Sequence, residues 1–109
     1  MAGAEDLAEV KKICPAAAYV SEGGQQFVDL PGLKIPVGAG VEIRDALLSL
    51  GPHTGYESRL YLSAPIAGRG QNWTTHTVLG RCWHTPSWRH VQPTRPIEML
   101  QQHLRVYRR

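Results

Sequence analysis

Residues 94–107, TRPIEMLQQHLRVY, decide the fold class because their pattern predicts a helix with one apolar face. Thr94 can cap this helix, and Pro96 lies in its first turn, where a missing backbone N–H is tolerated. Apolar residues recur at the helical period and line one face: Ile97, Leu100, Leu104 and Tyr107. We therefore expect a C-terminal helix that packs on a sheet.

A second helix is predicted near the other end, over residues 5–14, EDLAEVKKIC. Acidic residues occupy its first turn and lysines its last, which suits the helix dipole, and Pro15 stops it. Leu7, Val10 and Ile13 share a face. Cys14 ends the helix on or next to that face, so we interpret it as a packing residue.

Between the two helices the chain reads as an antiparallel meander of three or four strands. Glycine-rich turns at 22–24 and 38–40 separate the extended pieces. Residues 41–50, VEIRDALLSL, fit either period, and the flanking glycines favour a strand. The predicted extended pieces are 18–21, 25–30, 33–36, 41–50 and 59–63.

The stretch that follows, residues 66–87, shows no sustained periodicity and contains glycines at 68, 70 and 80. We expect it to be irregular. The order of elements is then a helix, a meander, an irregular segment and a helix. This is an α+β pattern, and 109 residues suffice for a single domain spanning 1–109.

Composition excludes several functions. The chain is 42% hydrophobic and 19% charged, and no apolar run approaches the length of a membrane span. The net charge is +3, and three arginines fall between Arg105 and the end. Because arginines in a last helical turn oppose the helix dipole, we interpret them as solvated and expect no nucleic-acid partner. The N-terminal MAGAEDLAEVKK lacks an apolar signal core, which predicts a cytoplasmic protein with reduced thiols.

Four stretches of the chain carry a resemblance through their order and spacing. They are GGQQFVDLPGLKIPVG, DALLSLGPHTGYESRLYLSAPI, NWTTHTVLGRCWHTPSW and IEMLQQHL. Together they span roughly residues 23 to 107 and resemble the ubiquitin-conjugating family, in particular its compact prokaryotic relatives called family E. The resemblance implies a compact ubiquitin-conjugating-like fold whose irregular segment carries the active site.

Cys82 is the nucleophile that the resemblance implies. The family moves a ubiquitin-like protein from one thioester to another and then to an amine, and a thiolate is both a strong nucleophile and a fair leaving group. Asn72 is the candidate oxyanion donor, and His76 or His84 could serve as donor or base. Arg81 and His84 flank the thiol and could favour its ionised form.

The sequence also departs from the family pattern. No His-Pro-Asn tripeptide precedes Cys82, and Asn72 lies ten residues before it. Trp88 fits the family's tryptophan after the cysteine, but the following proline, Pro93, comes late. We expect no cofactor, although a zinc site formed by His76, Cys82, His84 and His90 is chemically allowed, and an inert buried Cys82 is a further alternative.

Several partners follow from the resemblance. They are a ubiquitin-like protein, an adenylating activating enzyme, which the N-terminal helix would meet, and a target protein. Prokaryotic relatives resemble components of operons that act in defence against phages, so the resemblance implies such a role for this chain. The alternative is a non-catalytic module of the same fold, which would bind the ubiquitin-like protein or the activating enzyme without chemistry.

Overall fold

The computed structural model describes residues 3–51, 56–68, 72–87, 91–92 and 94–108. It confirms an α+β architecture with one helix near each end and a sheet between them. In chain order the elements are α1 (Ala4–Lys11), β1 (Ala18–Glu22), β2 (Gln25–Val37), β3 (Gly40–Ser49), β4 (Leu60–Leu62), β5 (Thr74–Val78), β6 (Arg81–Thr85) and α2 (Pro96–Arg108).

All strands of the described residues belong to one antiparallel sheet with the order β1-β2-β3-β4-β6-β5. The predicted meander corresponds to β1 to β4, with hairpin turns at the glycines where they were expected. The meander therefore has four strands, but the sheet as a whole has six among the described residues, more than the three or four expected. The two additional strands come from the segment that was predicted to be irregular.

That segment contains a hairpin because strands β5 and β6 pair over their full length, from Thr74↔Thr85 to Val78↔Arg81. The alternation that marks a strand is weak here, since β5 is mostly exposed and carries three threonines and a histidine. The connecting pair, Leu79 and Gly80, also lacks the Asn-Gly or Asp-Gly signature of a tight hairpin turn. The expectation of an irregular active-site segment is therefore corrected to an ordered hairpin over residues 74–85.

The long strand β2 includes the extended piece that was predicted separately at 33–36. The pairing of β2 with β3 shifts between Leu30 and Leu33, so Pro31 and Gly32 form a bulge. Gly32 has a φ of 65°, and its N–H donates to Asp45 Oδ1 at 2.9 Å. The bulge lets one strand cover two predicted pieces without a turn between them.

Both faces of the sheet bury apolar residues, and we name them by what covers them. The helical face packs against α1 and α2, and the opposite face carries a smaller cluster. Successive residues of a strand point to alternate faces, so the pairing register assigns each side chain. The sheet gives the helical face Val28, Leu30, Leu33, Ile35, Ala46, Leu48, Leu60 and Leu62. The opposite face buries Phe27, Leu47, Tyr61, Val78 and Trp83.

The helices bury the residues that the helical period predicts. Ile97, Leu100, Leu104 and Tyr107 of α2 are all buried in the cluster on the helical face, as is Val10 of α1. Helix α1 is shorter than the predicted 5–14 and ends at Lys11, after which the Cys14 N–H still bonds to the Val10 carbonyl at 2.9 Å. Neither described helix has the length and apolar character that a bilayer crossing requires.

Candidate functional site

Cys82 lies on β6, two residues after the turn of the β5–β6 hairpin. Leu79 and Gly80 form this turn with φ values of 54° and 71°. Two successive positive φ values give the turn a twist that matches that of antiparallel strands. Cys82 is exposed and pairs with Thr77 of β5. The local fold therefore presents this thiol on an ordered strand rather than in a loop.

The other cysteine, Cys14, is buried, whereas Cys82 is exposed. Cys14 is 2% exposed, and its Sγ donates to the Pro31 carbonyl at 3.3 Å. Burial disfavours the charged thiolate and so raises the pKa of the Cys14 thiol. These contacts agree with the interpretation of Cys14 as a packing residue, and they leave Cys82 as the accessible thiol.

Of the two histidines proposed to assist Cys82, the register brings only His84 to the same face. His84 pairs with Leu62, a residue of the helical face, and Cys82 lies two residues away on the same strand. His76 instead pairs with Trp83, whose side chain belongs to the opposite face. The thickness of the sheet therefore separates the His76 ring from the Cys82 thiol.

His76 takes part in a polar and aromatic cluster on the opposite face. Its Nε2 lies 3.0 Å from Thr74 Oγ1 and 3.4 Å from an Arg59 guanidinium nitrogen, and its ring meets Tyr61 edge-on. Arg59 is buried, and its guanidinium lies 3.8 Å from the centre of the Tyr56 ring. Because a guanidinium can only donate, His76 Nε2 is the acceptor in this pair.

Asn72 is positioned at the end of the hairpin far from Cys82. Its φ is 51°, and its carbonyl accepts a hydrogen bond from Ser87 Oγ at 3.4 Å. Thr74, the first residue of β5, is already about 10 Å along the strand from the partner of Cys82, and Asn72 lies beyond it. The structure therefore does not bring the Asn72 amide to the thiol.

Arg81, which was expected to favour the ionised form of the Cys82 thiol, makes contacts with other residues. Its guanidinium bonds to Asp45 Oδ2 at 3.0 Å and lies 4.7 Å from the centre of the Trp83 ring. Trp83 is in turn fixed by a hydrogen bond from its Nε1 to the Val78 carbonyl at 3.0 Å. Arg81 thus stabilises the opposite face, and His84 remains as the neighbour that shares the face of Cys82.

The described residues contain no group of three or more His, Cys, Asp or Glu side chains arranged to hold a metal ion. The separation of His76 from Cys82 and His84 by the sheet accounts for this within the hairpin. His90, the fourth residue of the zinc hypothesis, lies outside the described residues, as do Trp88 and Pro93.

One buried polar pair was not anticipated from the sequence. His103 is 5% exposed, and its Nε2 lies 2.9 Å from Ser58 Oγ, which itself donates to the Ser49 carbonyl at 3.0 Å. Burial, with a smaller contribution from Arg59, lowers the pKa of His103 to about 3. The pair has the composition of a nucleophile and its base, but its burial and the backbone contact give it a structural role. Its signal in the sequence is the helical spacing of His103 from Leu100.

A cleft of about 390 Å³ opens where the start of α2 meets α1 and the ends of two strands. Arg95 lies at its edge and forms ion pairs with Asp6, at 3.4 Å, and with Glu9. None of the hairpin residues line this cleft. Its lining residues are Asp6, Gln26, Leu50, Thr94, Arg95, Pro96 and Met99.

Comparisons of the chain with protein-family models, with curated proteins and with solved structures find no match. The class that the described residues define is an α+β protein in which they form one antiparallel sheet and two helices, with an exposed cysteine on the β5–β6 hairpin.

Proposed function

We propose that this chain is a ubiquitin-conjugating-type carrier that accepts a ubiquitin-like protein on Cys82 and passes it to an amine of a target. The observation that carries the proposal is the exposed thiol of Cys82, held on an ordered strand with His84 on the same face. The resemblance of the sequence to the family supplies the reaction. The same resemblance supports a cytoplasmic role in defence against phages.

The proposed reaction has two transfers. In the first, the Cys82 thiolate attacks the carbonyl carbon of the thioester on the activating enzyme, the new C–S bond forms, and the enzyme's own thiolate leaves. In the second, an amine of the target attacks the Cys82 thioester, loses a proton and releases the Cys82 thiolate. Among the described residues, His84 is the candidate for the base that takes this proton. Asn72 and His76 lie apart from the thiol.

The proposal is tested by an assay of charging, which is the formation of a thioester between Cys82 and the ubiquitin-like protein. The protein is mixed with ATP, a ubiquitin-like protein and the activating enzyme that adenylates it. We expect an adduct that a reducing agent cleaves. Cys82→Ser should give a slower, reductant-resistant ester because an alkoxide leaves far less readily than a thiolate. Cys82→Ala should give no adduct, and Cys14→Ala, the matched control, should be charged normally. A reductant-sensitive adduct in Cys82→Ala would contradict the assignment.

A second candidate function is a binding module that docks the ubiquitin-like protein or the activating enzyme without chemistry. The separation of Asn72 and His76 from Cys82 favours it, as does the exposure of two apolar side chains, Val41 and Ile43, each 58% exposed. This alternative predicts binding of the ubiquitin-like protein by calorimetry, with no covalent adduct in the charging assay. Val41→Asp should then weaken binding, and Cys82→Ala should not.

A further inference from the structure

The β5–β6 hairpin is attached to the rest of the sheet by a short ladder. Among the described residues, β6 pairs with β4 at a single position, Leu62↔His84. A two-stranded hairpin is only marginally stable by itself, so further contacts are needed to fix its orientation. Trp83 and Val78 bury their side chains on the opposite face, and Thr85 Oγ1 donates to the Leu60 carbonyl at 2.9 Å near the base of the hairpin. At the tip, two carboxylates from distant strands make the further contacts.

The first contact joins the tip to the end of β1. The Leu79 N–H donates to Glu22 Oε2 at 3.0 Å, across 57 positions of the sequence. Leu79 adopts a left-handed conformation, with a φ of 54°, which is unfavourable for a residue with a branched side chain. A charge-assisted bond to its N–H stabilises the turn in that conformation.

The second contact joins the tip to β3. Asp45 Oδ2 accepts from Arg81 at 3.0 Å, and Asp45 Oδ1 accepts from the N–H of Gly32 at the β2 bulge. Both members of the ion pair are nearly half exposed, so its electrostatic contribution is small. The ion pair instead fixes the orientation of the hairpin tip, because the bond to Gly32 holds the Asp45 carboxylate in one orientation toward the hairpin.

These two contacts flank Gly80, and Cys82 follows directly after them. We propose that Glu22 and Asp45 are positioning residues that clasp the tip of the hairpin and so fix Cys82 relative to the rest of the sheet. The inference rests on the proposed function, because only a carrier that must present its thiol to a large protein donor requires this constraint. A small reagent would reach the exposed thiol in either case.

Amide hydrogen exchange measured on peptides from residues 74–85 tests the clasp directly. Glu22→Ala should speed exchange of these amides about tenfold, because a charge-assisted hydrogen bond is lost. Glu22→Gln should restore most of the protection, since an amide oxygen can still accept from Leu79 although the bond is no longer charge-assisted. Asp45→Asn, which keeps an acceptor for Gly32, should give a smaller change of about two- to threefold. Glu57→Ala removes an exposed glutamate elsewhere and is the matched control.

The rates of charging and of alkylation then distinguish a misplaced Cys82 from a damaged fold. At saturating activating enzyme, charging of Cys82 should fall about tenfold in Glu22→Ala and recover in Glu22→Gln. The concentration of activating enzyme at half-maximal rate should not change. Iodoacetamide should alkylate Cys82 equally fast in all variants, and the buried Cys14 should stay protected if the fold is intact.

The outcomes distinguish the two proposals. Unchanged exchange of residues 74–85 in Glu22→Ala would overturn the clasp, whatever the charging rate. Faster exchange with normal charging would overturn the positioning role. An absence of any wild-type adduct with the true partners would overturn the carrier function and with it the positioning role, while the exchange result would still establish or refute the clasp.

Discussion

His103 shows how one buried side chain can set the response of the whole protein to acid. Its pKa in the folded state is about 3, well below the roughly 6.5 of an unfolded chain. Between these two pH values the His103 side chain is protonated in the unfolded state and neutral in the folded state. The contribution to stability is therefore present above about pH 6.5 and is lost progressively as the pH falls toward 3.

We predict that His103→Gln removes this part of the acid response. The free energy of unfolding of the wild type should fall relative to that of the variant by about 1.4 kcal/mol per pH unit between pH 6 and pH 4. Urea unfolding at several pH values measures the difference. Parallel curves for the two proteins would show that His103 is not held neutral. Asp45, whose pKa is lowered by the Gly32 N–H and Arg81, contributes a further loss at lower pH.

At the scale of the element, α2 illustrates how a helical pattern translates into a core. Its apolar stripe was predicted from spacing, and all four of its members are buried on the helical face. The helix contacts β2 and α1, so it packs the two helices together against the sheet. We therefore expect the stability of the fold to depend on this one face of α2.

Leu100→Asp tests that dependence. Leu100 is fully buried, and an unpaired carboxylate there should destabilise the fold by roughly 3–5 kcal/mol, enough to unfold a small domain. Gln101→Asp places the same charge on the exposed neighbouring position and should leave the melting temperature nearly unchanged. Thermal unfolding followed by circular dichroism compares the two. Equal melting temperatures would contradict the assignment of the core.

The hairpin β5–β6 represents the opposite case at this scale. Its strands contain few apolar residues, and its turn residues do not signal a hairpin, so the local sequence gave no basis for predicting it. The pairing becomes favourable only when Trp83 and Val78 can bury their side chains beside Phe27, Leu47 and Tyr61. These partners are remote in sequence, which is why the segment was predicted to be irregular.

At the scale of the whole molecule, α1 is part of the core as well as of the surface. Val10 is fully buried, Tyr19 donates to the Gly3 carbonyl at 2.6 Å, and Arg95 pairs with Asp6 and Glu9. Removal of α1 would therefore disturb the fold. A test of α1 as a docking surface requires changes that are confined to its exposed residues.

Lys11 and Lys12 meet that requirement, because both are exposed. If α1 meets the activating enzyme, Lys11→Glu with Lys12→Glu should raise the half-saturating concentration of that enzyme several-fold through charge reversal at the rim of the interface. The melting temperature should stay close to that of the wild type. Lys34→Glu, at an exposed position of β2, is the matched control. Unchanged half-saturation in the double variant would place the docking surface elsewhere.

The sequence by itself determined the two helices, the glycine turns of the first two hairpins and the packing role of Cys14. These features depend on signals within a few residues: the helical period, the acids and lysines at helix ends, and the positive φ that glycine adopts. Such signals survive without knowledge of the rest of the chain, although even here the end of α1 was predicted three residues too late.

Only the tertiary structure decided where the candidate site residues point. The side-chain period of a strand is two, so the pairing of β6 with β4 at Leu62↔His84 determines that Cys82 and His84 share the helical face and that His76 faces the other way. A shift of one residue would reverse all three. Since that register depends on partners more than twenty positions away, no local pattern could assign the neighbours of Cys82.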